Sequence, residues 1–473
     1  MTIRGFERTH DVIYESGTKL RDGMRAPARI LADEALFAQI GRDRSVEQLL
    51  NVATLPGLVG HVVGMPDMHE GYGFPVGGVA ATALPDGVIS PGGIGYDINC
   101  GVRLLASPMA HVDLGSVEPI LHELTRTIPA GYGRHGRLEL RRDELDRVLE
   151  GGAPEIVRAF GVGLPDDLAR MEGGGRLDGA RASAVSDRAK DRGRDQLGTL
   201  GGGNHFLEIQ RVQAIFDPEA ARAFGLALDK ITVLLHSGSR GLGHQVCTDY
   251  VRRMDAALAR HGIVLPDRQL ACAPLSSPEG RDYFAAMCAA ANFAFANREA
   301  LTHRVRQVFD ATTRDGRLDV VYDVAHNVAK IEEHLGARVC VHRKGATRAF
   351  GPGNAELPEE YRSVGQPVLI PGSMGTSSFV LVGRGASDVS FASACHGAGR
   401  AMSRTASKAM VRGGELRREL AARGIAVRCP SSAELAEEAP SAYKDVERVV
   451  DVVERAGVAR KVARLVPIGV LKG

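Results

Sequence analysis

Hydrophobic and polar positions divide the chain into stretches with two different periods. From Val59 to Leu105, short apolar runs alternate with Gly and Pro, which is typical of β-strands joined by tight turns. From about 110 to 195 the chain becomes strongly charged, and in Arg137–Glu150 the apolar residues recur at helical spacing. The pattern therefore predicts strands in the first region and a solvated helical layer in the second.

Other stretches along the chain carry helical periodicity, and one returns to strand and glycine. The strand-and-glycine stretch is Leu197–Gln210. Strands and helices interleave irregularly, and the sequence contains no solenoid-type repeat. We therefore predict an α+β fold, a single large domain over residues 1–473 in which a β-sheet core is covered by helices. The predicted helices are Ala32–Ile40, Glu279–Val308, Glu415–Arg423 and Tyr443–Ala456.

Three predicted strands end in a histidine. In each case we predict that a helix follows, starting at about His244 in the first. Backbone N–H groups and the helix dipole favour anions where a buried strand meets a helix N-terminus. One such histidine alone is more often a structural residue, but the repetition indicates that all three share one cleft. The apolar runs are Ile231–Leu235 before His236, Val320–Ala325 before His326 and Val389–Cys395 before His396.

Two glycine-rich segments add further side chains that can bind metal ions. Gly92–Gly101 contains a carboxylate and a thiol, and Gly201–Glu208 contains an amide, an imidazole and another carboxylate. A thiolate can bridge two divalent ions, and imidazole with carboxylate suits manganese or zinc, so the residue types leave both metals open. In chain order these side chains are Asp97, Cys100, Asn204, His205 and Glu208.

Composition narrows the classes of protein that fit. Hydrophobic residues make up 44% and charged residues 25% of 473, which is typical of a soluble globular protein and argues against disorder. The net charge is +2 and no tail is strongly charged, so a nucleic-acid surface would have to come from a local cluster. Seven scattered cysteines without CxxC spacing argue against a disulfide framework. Met1–Arg8 shows no basic leader and no apolar run could span a bilayer, so we expect a cytoplasmic protein without membrane contact.

Several of these segments together resemble the RtcB family, the tRNA-splicing RNA ligases that join a 2′,3′-cyclic phosphate or 3′-phosphate end to a 5′-hydroxyl end. The resemblance runs from about residue 65 to the last residue, and the first fifty residues show weaker similarity. Gly202 departs from the small polar residue that many members carry there. The resembling stretches are Met65–Gly73, Gly92–Arg103, Gln196–Gln210, His236–Val246, Ala325–Asn327, His342–Phe350, Pro371–Thr376, His396–Arg400 and Pro467–Gly473.

The resemblance implies an RtcB-like catalytic fold and a role for each matching residue. His396 matches the nucleophile that carries the guanylate, and Cys100 matches a ligand that bridges two manganese ions. Tyr443 matches an aromatic residue that stacks near the base. The implied manganese ligands are Asp97, Cys100, His205, His236 and His326. The implied guanylate-binding residues are Asn204, His205, Phe206, Leu207, Glu208, His326, Asn327, Pro371, Gly372, Ser373, Met374, Ser378, His396, Gly397, Ala398, Gly399, Tyr443 and Lys472.

Three arginines are candidates for holding the terminal phosphates of RNA, because a planar guanidinium pairs well with phosphate. They are Arg240, Arg400 and Arg404, and the last two are spaced to share one face of a predicted helix.

The resemblance implies a ligase that uses GTP and two Mn²⁺ ions, forms a histidine guanylate and activates the RNA 3′-end with it. Its RNA could be tRNA halves or broken RNA under repair, and an archease-type activator could take part. Two alternatives stay open: a metal-dependent RNA-end phosphohydrolase that does not seal, and a non-catalytic RNA-binding paralogue. Retention of the implied metal ligands and of His396 argues against the second.

Overall fold

The computed structural model describes residues 3–131, 133–136 and 138–473. Outside the described residues lie Met1 and Thr2 of the N-terminal segment and Arg137 of the predicted helical stretch. The strands are β1 (Phe6–His10), β2 (Ile13–Ser16), β3 (Ala28–Leu31), β4 (Val62–His69), β5 (Val76–Ala83), β6 (Val88–Ile89), β7 (Gly101–Ala110), β8 (Phe206–Ile215), β9 (Lys230–Ser237), β10 (Ala273–Pro274), β11 (Asp319–Ala325), β12 (Asn327–His334), β13 (Ala337–Lys344), β14 (Ala346–Arg348), β15 (Pro367–Ile370), β16 (Ser378–Gly383), β17 (Ser393–Cys395), β18 (Ala426–Arg428) and β19 (Ala459–Lys472).

The helices cover the faces of the sheets formed by these strands. Together the two sets of elements confirm the predicted α+β class. The helices are α1 (Glu34–Ile40), α2 (Ser45–Val52), α3 (His111–Leu114), α4 (Glu118–Thr127), α5 (Arg142–Phe160), α6 (Asp187–Asp191), α7 (Pro218–Ala223), α8 (Arg240–Ala257), α9 (Pro278–Thr312), α10 (Ser387–Ser390), α11 (Arg404–Met410), α12 (Gly413–Ala422), α13 (Ser432–Glu437) and α14 (Val446–Arg455).

Two large sheets form the framework. The first has the strand order β1-β2-β3-β4-β5-β13-β12, and the second has the order β11-β7-β9-β8-β19-β16-β15 with β18 added beside β19. Most neighbours are antiparallel; β3 with β4 and β18 with β19 are parallel. The single-domain organisation over residues 1–473 stays a prediction.

Five strands of the second sheet begin or end at the same edge of the sheet. β7 and β8 begin there, and β9, β11 and β19 end there, because each is antiparallel to its neighbour. Gly101 lies opposite Ser237 and Ala325, and Phe206 lies opposite His236 and Lys472. The residues that flank these strand ends therefore come together although they are far apart in sequence.

Helix α9 confirms the long helical prediction and lies behind this edge. It begins at Pro278, where the side chain of Ser277 accepts a hydrogen bond from the backbone N–H of Gly280, and it extends to Thr312. Its central turns are buried on nearly all sides, which its alanine-rich sequence permits. Among the described residues, no helix is both long and apolar enough to cross a lipid bilayer.

Two of the three predicted strand-to-helix transitions are wrong. His326 is followed by strand β12, whose inward residues include Lys330 and Glu332, so buried charge concealed the alternation of a strand. Ion pairs with Glu172 and Arg343 compensate these two charges.

The segment around His396 also differs from the prediction. Strand β17 covers only Ser393–Cys395, because α10 occupies Ser387–Ser390, and the next helix begins at Arg404. A glycine-rich turn separates β17 from the helix that begins at Arg404. In this turn Gly399 has φ +72° and lies against the backbone of Asp67. After His236 a helix does follow, but it begins at Arg240, four residues before the predicted start.

Candidate active site

A cavity of about 250 Å³ opens at the sheet edge where the strand ends gather. It contains all three of the strand-end histidines. The predicted site residues that line it are Cys100, Asn204, Phe206, Glu208, His236, His326, Asn327, Pro371, Gly372, Ser373, Met374, His396, Gly397, Ala398, Gly399, Arg400, Arg404, Tyr443 and Lys472.

A buried cluster of metal-binding side chains lies at one end of this cavity. The Sγ atom of Cys100 lies 3.1 Å from Nε2 of His236 and 3.5 Å from Nε2 of His205. The three donor atoms lie within 4.8 Å of one another. Oδ2 of Asp97 is 2.9 Å from Nε2 of His205, so a carboxylate joins the set. Sulfur, imidazole and carboxylate donors at this spacing form a possible site for a divalent ion.

His326 is the strongest sign that the cluster fits a metal. Both its ring nitrogens are buried, and neither has a hydrogen-bond partner among the described residues. Its ring centroid lies 5.6 Å from that of His236 and 5.5 Å from that of His396. Burial lowers the pKa of His205 and lowers those of His236 and His326 further, so these imidazoles are neutral and keep a lone pair for a metal.

The Cys100 thiol requires a metal to become an anion. Burial raises the pKa of this thiol well above its usual range, and the neighbouring Asp97 raises it further. A bound cation would reverse that shift and displace the proton, because thiolate is the form that binds metal.

His396 lies next to His326, with ring centroids 5.5 Å apart, and contacts a buried carboxylate. Its Nδ1 atom is 2.6 Å from Oδ2 of Asp67, and its backbone N–H donates to the same oxygen at 3.1 Å. Asp67 is fully buried, whereas the His396 side chain is 16% exposed. The Nδ1–Oδ2 contact has the distance of an ion pair but not the geometry of a hydrogen bond, so Asp67 acts on Nδ1 through its charge, and Nε2 is the ring nitrogen that we assign to chemistry in the cavity.

The wall formed by β8 and β19 presents alternate side chains to the cavity. Phe206 and Glu208 line it, whereas Leu207 points to the other face of the sheet and packs in a hydrophobic cluster there. Ser378 lies behind the wall, where its hydroxyl accepts hydrogen bonds from Gly372 N at 3.1 Å and Gln210 Nε2 at 3.0 Å. Of the implied guanylate-binding residues, His205, Leu207 and Ser378 thus do not line the cavity.

Burial of Glu208 makes the stability of the folded protein depend on pH, which can be measured. It raises the pKa of this carboxyl from 4.5 to about 8, against the opposing effects of Gln210 and Lys472. The folded protein therefore holds this proton more tightly than the unfolded chain does. Its contribution to stability is complete below pH 4.5 and is lost as the pH rises to about 8.

We expect Glu208→Gln to remove this dependence, because glutamine keeps the shape of the side chain without titrating. The melting temperature of the wild type should fall relative to that of the variant as the pH rises from 5 to 8, measured by thermal unfolding of metal-free protein. Glu333→Gln, at an exposed position of β12, is the control and should track the wild type. A constant difference between Glu208→Gln and the wild type across this range would contradict the assignment.

Glu438 connects the residues at the mouth of the cavity. It is 3% exposed, and its carboxylate contacts Nη1 of Arg400 at 3.3 Å and Nε of Arg404 at 3.1 Å. It also accepts a hydrogen bond from the Tyr443 hydroxyl, and Nζ of Lys472 lies 3.7 Å away. This single carboxylate contacts three cationic groups and a tyrosine hydroxyl, all on residues that line the cavity.

The three candidate phosphate-binding arginines occupy different positions. Arg400 precedes α11 and Arg404 is its first residue, so the prediction that they share a helical face is wrong, although Glu438 brings them together. Arg240 is at the start of α8, and its Nη1 atom lies 3.1 Å from Nδ1 of His205. Arg240 therefore contacts a metal-ligand candidate directly.

Some residues that line the cavity or lie directly behind it were not singled out from the sequence. Asp67 and His69 are in the resembling stretch Met65–Gly73, and Lys344 is in His342–Phe350, so the resemblance carried a signal for them. Glu438 is in no such stretch. Its position depends on tertiary contacts that no local pattern predicts.

Known proteins agree with the resemblance. A family model described as tRNA-splicing ligase RtcB matches residues 48–473. A tRNA-splicing ligase RtcB of Archaeoglobus fulgidus is 51% identical, with all of both chains covered. One of Thermococcus kodakarensis is 51% identical over 95% of each chain, and an RNA-splicing ligase RtcB of Mycobacterium tuberculosis is 52% identical over 90% of this chain and all of its own. The match over most of the sequence establishes that this chain belongs to the RtcB family.

Proposed function

We propose that this protein is a GTP- and manganese-dependent RNA ligase that joins a 3′-phosphate or 2′,3′-cyclic phosphate end to a 5′-hydroxyl end. The observation that carries the proposal is that His396 lines the same cavity as Cys100, His236 and His326, beside the buried cluster of Cys100, His205 and His236. A nucleophile beside a metal cluster is what transfer of a nucleotide requires.

His396 is the proposed nucleophile. Nε2 would attack the α-phosphate of GTP, forming a P–N bond and releasing pyrophosphate, while the Asp67 carboxylate at Nδ1 stabilises the positive charge on the ring. The RNA 3′-phosphate then displaces the imidazole and takes the guanylate. Finally the 5′-hydroxyl attacks the activated phosphate and releases GMP. A cyclic phosphate is first opened by water to the 3′-phosphate.

Five residues would hold two manganese ions, with Cys100 shared between them. Neutral imidazoles, a buried thiol and the unpartnered ring of His326 fit this role. When bound, the ions would neutralise phosphate charge and align the attacking group. The complete set is Asp97, Cys100, His205, His236 and His326.

The guanine and phosphate ends of GTP would meet different walls. The carbonyl oxygen of the Glu208 carboxyl group can accept a hydrogen bond from an N–H group of guanine, and Tyr443 offers a ring for stacking. Backbone N–H groups of Gly397–Gly399 can approach phosphate closely because no Cβ intervenes at either glycine. Lys472, which lies 5.6 Å above the Phe206 ring, can add a positive charge.

The mouth of the cavity is where RNA would enter. Arg400 and Arg404 lie there, and Arg240 lies deeper beside His205. These guanidinium groups suit the terminal phosphates of the RNA strands. Besides RNA and GTP, an archease-type activator is the partner that we propose, and splicing of tRNA halves or repair of cleaved RNA is the proposed setting.

Labelling with GTP tests the proposal directly. Incubation with α-labelled GTP and Mn²⁺ should give a covalent guanylate that is stable to base and lost in acid, as expected for a phosphoramidate. An RNA with a 3′-phosphate and a partner with a 5′-hydroxyl should then be joined. Metal-loaded protein that takes no label would refute the ligase proposal, and opening of cyclic phosphates without sealing would favour a phosphohydrolase.

A further inference from the structure

Two consecutive residues of α9, Asn297 and Arg298, lie directly behind the candidate metal centre. Both side chains are fully buried, although arginine and asparagine are uncommon inside a protein. The helix was predicted from its periodicity alone, which assigned it no part in the site. Its polar contacts give it one.

Arg298 uses every hydrogen-bond donor of its guanidinium group. Nη1 donates to the backbone oxygens of Asn99 at 2.8 Å and Ser237 at 3.1 Å. Nη2 donates to Oδ1 of Asn99 at 3.1 Å and Oδ1 of Asp323 at 2.7 Å. Nε donates to Oδ2 of Asp323 at 2.9 Å. A guanidinium has five N–H donors in one plane, and all are satisfied here.

These acceptors belong to three different segments that carry candidate metal ligands. Asn99 precedes Cys100, Ser237 follows His236, and Asp323 is on β11, three residues before His326. Asn99 also adopts a left-handed backbone conformation, with φ +51°. One rigid, planar group therefore fixes the relative positions of three ligand-bearing segments.

Asn297 extends the same framework to a fourth segment. Its Nδ2 donates to the backbone oxygens of Thr199 at 3.1 Å and Gly238 at 3.2 Å, and its Oδ1 accepts from Gly198 N at 2.8 Å. Gly198 and Thr199 lie in the glycine-rich loop that leads to His205. The pair thus holds the backbone beside four of the five candidate ligands without lining the cavity.

We propose that Arg298 is a positioning residue of the metal centre, holding the Cys100, His236 and His326 segments at the separation that a divalent ion requires. The proposal rests on the proposed function insofar as that function assigns metal to these ligands. Metal sites tolerate only small errors in ligand distance, and residues behind the ligands set those distances. Lysine cannot replace Arg298 in this role, because it has three donors at a single point instead of a planar fork.

Arg298→Lys tests the proposal against a matched variant of the same helix. Arg306 is also a mostly buried arginine of α9. It pairs with both oxygens of Asp167, and its Nε donates to the backbone oxygen of Leu318, eight residues before His326, so it lies away from the candidate ligands. We expect both Arg→Lys variants to lose thermal stability. Only Arg298→Lys should bind Mn²⁺ more weakly, by about 10- to 100-fold, the loss typical of residues that support metal ligands. The measurement is equilibrium dialysis of metal-free protein against Mn²⁺ alone.

A second variant keeps the proposal testable if Arg298→Lys does not fold. Asn99→Gly removes one acceptor of Arg298 while glycine readily adopts the left-handed conformation, so the fold should persist. It should weaken Mn²⁺ binding in the same direction by a smaller factor. Wild-type affinity in folded Arg298→Lys would overturn the proposal, as would an equal loss of affinity in Arg306→Lys. If Arg298→Lys does not fold, wild-type affinity in Asn99→Gly alone would overturn it.

The two proposals fail in distinguishable ways. Wild-type protein that binds Mn²⁺ but takes no guanylate would refute the ligase proposal and leave the role of Arg298 standing. Wild-type protein that binds no Mn²⁺ would refute both.

Discussion

Replacing His396 by alanine is expected to reduce covalent guanylate labelling to background and to slow RNA sealing by on the order of 10⁴-fold or more, as loss of a catalytic nucleophile does. The reason is geometric. The Asp67 carboxylate lies 2.6 Å from Nδ1 of His396, which leaves Nε2 as the nitrogen that we propose to form the P–N bond. The label is measured after incubation with α-labelled GTP and Mn²⁺ and separation under denaturing conditions.

Two controls separate loss of the nucleophile from loss of the site. His396→Ala should still bind Mn²⁺ with wild-type stoichiometry, because His396 is outside the proposed ligand set. His122→Ala, which removes an exposed imidazole on α4, should label like the wild type. Persistent label in His396→Ala would move the nucleophile to another residue.

Asp67→Asn provides a graded version of the same experiment. Asparagine keeps the size of the side chain but removes the negative charge beside Nδ1, so the imidazolium that forms during attack loses its stabilising partner. We expect labelling to be slowed but not abolished, with Mn²⁺ stoichiometry unchanged. Wild-type labelling kinetics would contradict a role for this carboxylate.

The sequence predicted the long helix and the strands well because each has a clear hydrophobic period. Helix α9 appears as an alanine-rich stretch, and the run before His236 is one of buried strand residues. Strand β12 could not be recognised in this way, because its inward positions carry Lys330 and Glu332 as compensated charges. Periodicity reports burial only where buried residues are apolar.

The histidine cleft was predicted from a partly wrong premise. Only the strand that contains His236 is followed by a helix, yet His326 and His396 line the same cavity. What gathers the strand-end residues is the antiparallel order of the second sheet, which places the ends of β9 and β11 beside the start of β7. Arg298 and Glu438 could not be found from the sequence, because their partners are distant in the chain and match no local pattern.

Replacing Cys100 by alanine is the second change with a large expected effect. Mn²⁺ stoichiometry should fall from two ions to at most one, and guanylate labelling should fall with it, because a single thiolate would serve both ions. The loss of affinity should exceed the about 10- to 100-fold that removal of a supporting residue costs. Equilibrium dialysis with Mn²⁺ alone gives the stoichiometry independently of GTP and RNA.

Cys288→Ala is the matched control for this change. Cys288 is as deeply buried as Cys100 but packs in a hydrophobic cluster with other residues of α9 and with Cys340, so the same truncation removes a sulfur that lies outside the proposed metal site. Both variants should lose a modest and similar amount of thermal stability in metal-free protein. Added Mn²⁺ should then raise the melting temperature of Cys288→Ala as it does for the wild type, and raise that of Cys100→Ala far less, since only ligands of the folded state shift that equilibrium. Equal stabilisation of the two variants by Mn²⁺ would show that Cys100 does not bridge the ions.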